Sequence, residues 1–155
     1  MNQKGRRVLF VCTGNICRSP IAEVIACSKS DVHSFQSAGT ATWHVGQPMD
    51  PRAATVLAQR NLDPSTHVAQ HATHALLGDQ DLIVALDRKH REILSRQVDP
   101  ATTTIVLLRS YDPLGGGATD VADPYYGTHE DFEQCAEHVE RSVTGLLEAL
   151  ESGAL

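Results

Sequence analysis

The chain has 155 residues, 41% hydrophobic and 21% charged, with 13 Lys and Arg against 19 Asp and Glu for a formal charge of −6. That length supports one domain over residues 1–155 with a core that needs no staples, and the composition is that of a folded protein. The negative balance argues against a nucleic-acid partner, whose phosphates reward clustered positive charge.

Lys4, Arg6 and Arg7 precede an apolar run, Val8 to Val11, that is too short for a secretory signal or a membrane span. No membrane partner is expected. Cys12, Cys17, Cys27 and Cys135 lack the paired spacing of a zinc site, so a cytoplasmic protein with reduced thiols is the default reading. Export without a signal peptide is left open.

Residues 7–12 form a β-rich run bounded by glycine and read as a buried strand. Ser19 followed by Pro20 reads as a cap and first turn of a helix reaching about residue 30, with Ile21, Val24 and Ile25 at helical spacing. Residues 32–38 suggest a second strand. Asp50 and Pro51 open another helix, with Ala54, Leu57 and Ala58 expected inward.

Residues 81–86 are a compact third strand, followed by Asp87 as cap of a helix to about residue 94, and residues 102–108 are a fourth strand. Residues 111–126 are loop-like, with Gly115, Gly116 and Gly117 and two Asp-Pro pairs. From Phe132 to Leu150 an apolar stripe recurs at helical spacing and predicts a final helix over about residues 130–150. Cys27 and Cys135 are expected in the core. Strand and helix alternate throughout, which predicts an α/β three-layer sandwich: a four-stranded parallel sheet with helices on both faces and a phosphate-binding loop after the first strand. Ligands of such sheets bind beyond the carboxyl ends of the strands, where Cys12 falls.

The loop itself, Cys12-Thr-Gly-Asn-Ile-Cys-Arg-Ser19, carries the chemistry. Gly14 permits positive φ and Asn15 tolerates it, so several N–H groups can turn toward one anion. The following helix adds its own unpaired N–H groups, and Arg18 adds a planar fork suited to two phosphoryl oxygens. Such a cradle would hold an anionic sulfur as readily as a phosphate, which makes Cys12 a candidate nucleophile. Ser19 is near enough in sequence to hydrogen-bond the sulfur and help it leave. There is no Walker lysine, so a nucleotide site is not expected.

These residues resemble those of the low-molecular-weight protein tyrosine phosphatases, with the flavour of their actinobacterial members. The resemblance extends from the signature loop through Ser37 to Thr40, Trp43 to Gly46, Pro48 to Ala53, Ala85 to Arg88, Leu108 to Pro113 and Asp123 to Gly127. It implies hydrolysis of phosphotyrosine in proteins, or of small aryl phosphates, through a phosphocysteine. Cys12 would be the nucleophile, Arg18 the phosphate ligand and Asp123 the general acid and then base. Leaving-group chemistry asks for such a third group, since a departing phenolate needs a proton. Asp112 bears the same Asp-Pro dipeptide without the aromatic pair behind it, and is the weaker candidate.

Thr13, Gly14, Asn15, Ile16, Cys17 and Ser19 complete the expected phosphate site. The resemblance sets Ile16 on the pocket floor and Trp43 and Tyr125 beside the aromatic ring, with Tyr126 nearby. It also implies that Asn15 braces the loop and that Cys17 forms a reversible disulfide with Cys12. Leu86 and His90 stand where methionine and asparagine are common, and bear on packing or the rim. His67, His71 and His74 are spaced as on one helix face, but no carboxylate or cysteine completes a metal set, and no metal or other cofactor is expected. Phosphate-like oxyanions should inhibit, and the chain should be a monomer or weak dimer.

Three readings compete. Arsenate reductases of this fold relay a disulfide through further cysteines, and none lies between Cys27 and Cys135. Protein-arginine phosphatases carry threonine where Ile16 stands, and an apolar side chain suits a ring better than a guanidinium. A phosphopeptide-binding module would need neither Cys12 nor Asp123.

Overall fold

The computed structural model describes residues 4–155. Strands β1 (Arg7–Cys12), β2 (Ser34–Gly39), β3 (Leu82–Ala85) and β4 (Thr104–Leu107) pair in parallel in the order β2-β1-β3-β4. Helices α1 (Arg18–Lys29), α2 (Pro51–Ala58), α3 (His74–Gly78), α4 (Arg88–Ser95) and α5 (His129–Glu151) cover both faces. The expected three-layer α/β sandwich is therefore present.

The two-residue period of a strand divides the core in two. Val8 and Phe10 of β1 and Leu82 and Val84 of β3 face a large core with α1, α2 and α5. Leu9 and Val11, with Ile83 and Ala85, face a smaller one completed by Leu77 of α3 and Leu94 of α4. Burial on both faces explains why β1 reads as a continuous apolar run rather than an alternating one. The α5 stripe, from Phe132 through Val139 and Val143 to Leu150, is buried as its spacing requires, and Thr128 and Asp131 close a capping box at its start.

Several local expectations shift. α1 begins at Arg18, with Cys17 in the cap position and no side-chain cap, so Ser19 lies inside the first turn and its hydroxyl is free for the loop. In α2, Asp50 does cap, accepting from Arg52 N, but the inward face is Ala53, Val56 and Leu57. Ala54 is only half-buried and Ala58 is exposed, because Val56 and Leu57, three and four residues after Ala53, set the buried stripe with it. Cys27 is exposed on α1 rather than in the core, whereas Cys135 is buried. α3 was not expected: one turn capped by Thr73 buries only Leu77, too little to show a period. Strand edges are trimmed, and residues after β4 tighten into a 3₁₀ turn, Leu108–Tyr111. Among the described residues no helix is long and apolar enough to cross a membrane.

Candidate active site

β1 ends at Cys12 and α1 starts at Arg18, so the five residues between must reverse the chain at the carboxyl edge of the sheet. The left-handed residue in that turn is Asn15, at φ 57°, and not Gly14. Gly14 instead leaves space, since a Cβ there would lie 3.0 Å from the His44 ring, which would have to shift slightly.

Asn15 is fully buried and holds the turn from inside. Its amide donates to Ser19 Oγ at 2.8 Å and to Ser37 Oγ at 2.9 Å, and its Oδ1 accepts from Gln70 N. His67 Nε2 donates to the Asn15 carbonyl at 2.7 Å. Ser37 Oγ donates in turn to Glu23 Oε1 at 2.6 Å. Because Ser19 already accepts from Asn15, its proton remains for Cys12 Sγ at 2.9 Å or for the Ala38 carbonyl at 3.4 Å, and the sulfur is the nearer. Positive φ at a non-glycine residue is affordable here because every polar atom of the side chain is engaged.

Arg18 is almost wholly buried, and Nη1 is spent on Asp87 Oδ2 at 2.9 Å and the Val121 carbonyl at 3.0 Å. Its Nη2 lies 3.7 Å from Asp123 Oδ2. Burial alone would weaken the cation, but the neighbouring Cys12, Asp123 and Asp87 outweigh it and push the guanidinium up. Asp87 also caps α4, so one carboxylate fixes both the helix and the arginine. Thr13 Oγ1 is 2.8 Å from His90 Nε2. Burial, followed by Arg18, pulls His90 down to about 4, which leaves the ring neutral. Its Nδ1 is 3.1 Å from Asp87 Oδ1 but makes no hydrogen bond, so this is a contact and not an ion pair.

Asp123 arrives on the loop before α5, 48% exposed, with Oδ1 accepting from Tyr125 N at 3.1 Å. Cys12, Thr13, Gly14, Ile16, Cys17, Arg18, Trp43, His44, Asp123, Tyr125 and Tyr126 together line an open cleft of about 200 Å³. Trp43 is 75% exposed and so is not packing beneath β2, while Tyr126 is 94% exposed and meets Tyr125 edge to face at 4.9 Å. Of the expected site residues, Asn15 and Ser19 sit behind the loop, fully buried, and the rest face the cleft. Asp112 is elsewhere: it is held by Arg109 and Arg141, which keep its carboxyl well below the usual range.

Burial pushes the Cys17 thiol up, reinforced by Asp50 and Cys12, so it stays protonated at neutral pH; both Cys12 and Cys17 are free thiols. His67 and His71 lie in extended chain rather than on a helix, bonded to the Asn15 and Gly39 carbonyls. Sequence reasoning missed His44 in the cleft and the anchoring roles of Asp87 and Val121. Asp87 carried a readable signal, its place just beyond β3, which flanks β1.

A tight loop round a buried thiol at the carboxyl end of a parallel sheet, with a buried arginine beside it and a carboxylate opposite, is the arrangement expected of a cysteine-dependent phosphatase. Residues 7–154 match the model of the low molecular weight phosphotyrosine protein phosphatase family. A low molecular weight protein-tyrosine-phosphatase of Streptomyces coelicolor is 43% identical over 153 residues, covering 93% of each chain. Low molecular weight protein-tyrosine phosphatase A of Mycobacterium tuberculosis is 44% identical over 146 residues, covering 90% of this chain and 88% of the relative. A protein tyrosine phosphatase from Entamoeba histolytica, crystallised with Hepes in its active site, superimposes with a TM-score of 0.88 at 28% identity, over 97% of this chain and all of that one. The chain belongs to the low molecular weight phosphotyrosine protein phosphatase family.

Proposed function

We propose that the protein hydrolyses phosphotyrosine in proteins, with the described fold acting as a single catalytic domain that resembles the actinobacterial members of the family. The observation that carries this reading is the convergence of Cys12, Arg18 and Asp123, drawn from segments more than a hundred residues apart, on one cleft walled by Trp43 and Tyr125.

In the first step Cys12 attacks phosphorus as its thiolate while Arg18 and the amides of residues 13–19 hold the three equatorial oxygens. The P–O bond to the ring breaks, and Asp123 gives its proton to the departing phenolate. The product is phosphocysteine. In the second step Asp123, now a carboxylate, takes a proton from water, which attacks phosphorus and releases phosphate. Ser19 Oγ–H then hydrogen-bonds the leaving sulfur, which its 2.9 Å approach supports. Ile16, apolar and nearly buried in the cleft lining, favours a ring over a guanidinium. No step requires a metal, because the cradle and Arg18 supply the positive charge.

The test is turnover on phosphotyrosine, phosphoserine and phosphoarginine peptides and on arsenate, with wild type and Cys12→Ser. Phosphotyrosine should be preferred, and Cys12→Ser should lose turnover while keeping phosphate binding. Equal activity on phosphoarginine, or a working Cys12→Ser variant, would overturn the reading.

Cys17 supports a protective role at the same site. A peroxide would oxidise Cys12 to the sulfenic acid, and the Cys17 thiol would condense with it, releasing water and closing a disulfide that an added dithiol reopens. Cys17→Ser should therefore lose activity irreversibly after peroxide, whereas wild type recovers on reduction. Equal recovery in both would remove this role.

A further inference from the structure

Arg52 lies outside the cleft lining, yet it touches both walls through their supports. Its Nε and Nη2 donate to Asp50 Oδ1 and Oδ2 at 3.0 and 2.9 Å, a bidentate pair. Asp50 in turn donates its backbone N–H to the Ile16 carbonyl at 2.9 Å, which ties it to the phosphate loop. The guanidinium carbon lies 4.6 Å from the ring centre of Phe132, fully buried on α5, and 5.4 Å from that of Tyr125. Tyr125 N holds Asp123 Oδ1. One planar cation thus joins the loop, the final helix and the aromatic wall. Asp50 also raises Arg52 further above its ordinary value, so the charge is permanent.

The geometry points to Arg52 as a positioning residue that sets Tyr125 against the phosphate loop, and so governs selectivity for aryl over alkyl phosphates. This rests on Tyr125 being a wall for the substrate ring. Within the loop between Pro124 and Thr128, Tyr126 is almost wholly exposed, while Tyr125 rests against the main core and meets Tyr126 edge to face. The Arg52 guanidinium adds a contact that links the Tyr125 ring, through Asp50, to the phosphate loop. A lysine would keep the charge but lose the fork to Asp50 and the flat surface under the rings.

The experiment measures KM and kcat for p-nitrophenyl phosphate and for a primary alkyl phosphate in wild type, Arg52→Gln, Arg52→Lys, Tyr125→Ala and Arg52→Gln/Tyr125→Ala. Inhibition by inorganic phosphate reports whether the loop stays intact. Arg52→Gln should raise the aryl KM about fivefold, the scale of a partly exposed cation–π contact, with the alkyl KM and phosphate inhibition within about twofold of wild type. Arg52→Lys should fall between the two. The double variant should be no worse than Tyr125→Ala, because the two act through one ring. Additive losses, or equal rises for aryl and alkyl substrates, would overturn the role of Arg52 alone. If Tyr125→Ala itself leaves aryl selectivity unchanged, the ring-wall reading falls and this inference with it. Loss of phosphate inhibition in both Arg52 variants would assign Arg52 to holding the loop, which also overturns it.

Discussion

The proposed mechanism places two demands on the Asp123 carboxyl group, and they can be separated by kinetics. Its Oδ1 is fixed by Tyr125 N, while Oδ2 points toward Arg18 across the cleft. Asp123→Asn keeps the shape and the hydrogen bond but has no proton to give. kcat/KM reports steps through the first chemical event, so it isolates the acid role from the later base role. For phenyl phosphate kcat/KM should fall about 10²- to 10³-fold, and for p-nitrophenyl phosphate far less, since that leaving group needs little help. A loss independent of leaving-group pKa would contradict the acid role. Asn15 shows the other kind of residue-scale contribution. Its importance was legible in the tolerance of asparagine for left-handed backbone, but the choice between Gly14 and Asn15 was not, because it depends on Ser37, His67 and Gln70 reaching it from other segments.

At the scale of elements, the loop is shaped by what presses on it from β2. Gly39 ends that strand, pairs with Cys12, and leaves room for Thr40 N to reach the Cys12 carbonyl at 2.9 Å. A Cβ on Gly39 would lie 2.6 Å from the Thr13 carbonyl oxygen, a backbone atom that cannot swing away. Gly39→Ala should therefore displace the loop, weaken phosphate binding about tenfold or more by calorimetry, and cost about 1–3 kcal/mol of stability in urea unfolding, as overpacking does. Unchanged phosphate affinity would mean that the loop holds its shape without β2. The strands and the long helix were readable because each carries a repeated pattern. Helix ends were less so: Ser19 and Pro20 look like a cap and first turn, yet the serine is held inside by Asn15 and Cys12, and the helix starts at Arg18. A hydroxyl satisfied by tertiary partners has no reason to cap.

For the molecule as a whole, the buried neutral His90 links stability to pH. Folding lowers its pKa from 6.5 to about 4, so the unfolded chain binds the proton more readily. Its contribution is fully present above about pH 6.5 and is lost as pH falls toward 4, to an upper bound of about 3 kcal/mol. His138, also lowered chiefly by burial, adds to the same slope. His90→Asn keeps a polar partner for Thr13 without a titrating ring, and should flatten the dependence of unfolding free energy on pH between 6.5 and 4. An unchanged slope would show that other groups carry it.

Local pattern determined much of this protein before any contact was known. The two-faced apolar run of β1, the 3.6-residue stripe of α5 and the thiol-to-arginine loop are properties of neighbouring residues, and they specified the sandwich and the place of its anion site. Asp123 could be chosen over Asp112 from the aromatic pair beside it, and the structure has Asp112 engaged by two arginines. Only tertiary structure decided which groups serve the loop from afar: Asp87 and the Val121 carbonyl on Arg18, His90 on Thr13, and Arg52 beneath Tyr125. Those partners are distant in sequence and are joined by sheet order and helix packing, which no short-range pattern encodes. The loop pattern predicts an anion held over sulfur; the fold supplies the groups that brace that loop and the walls that face it.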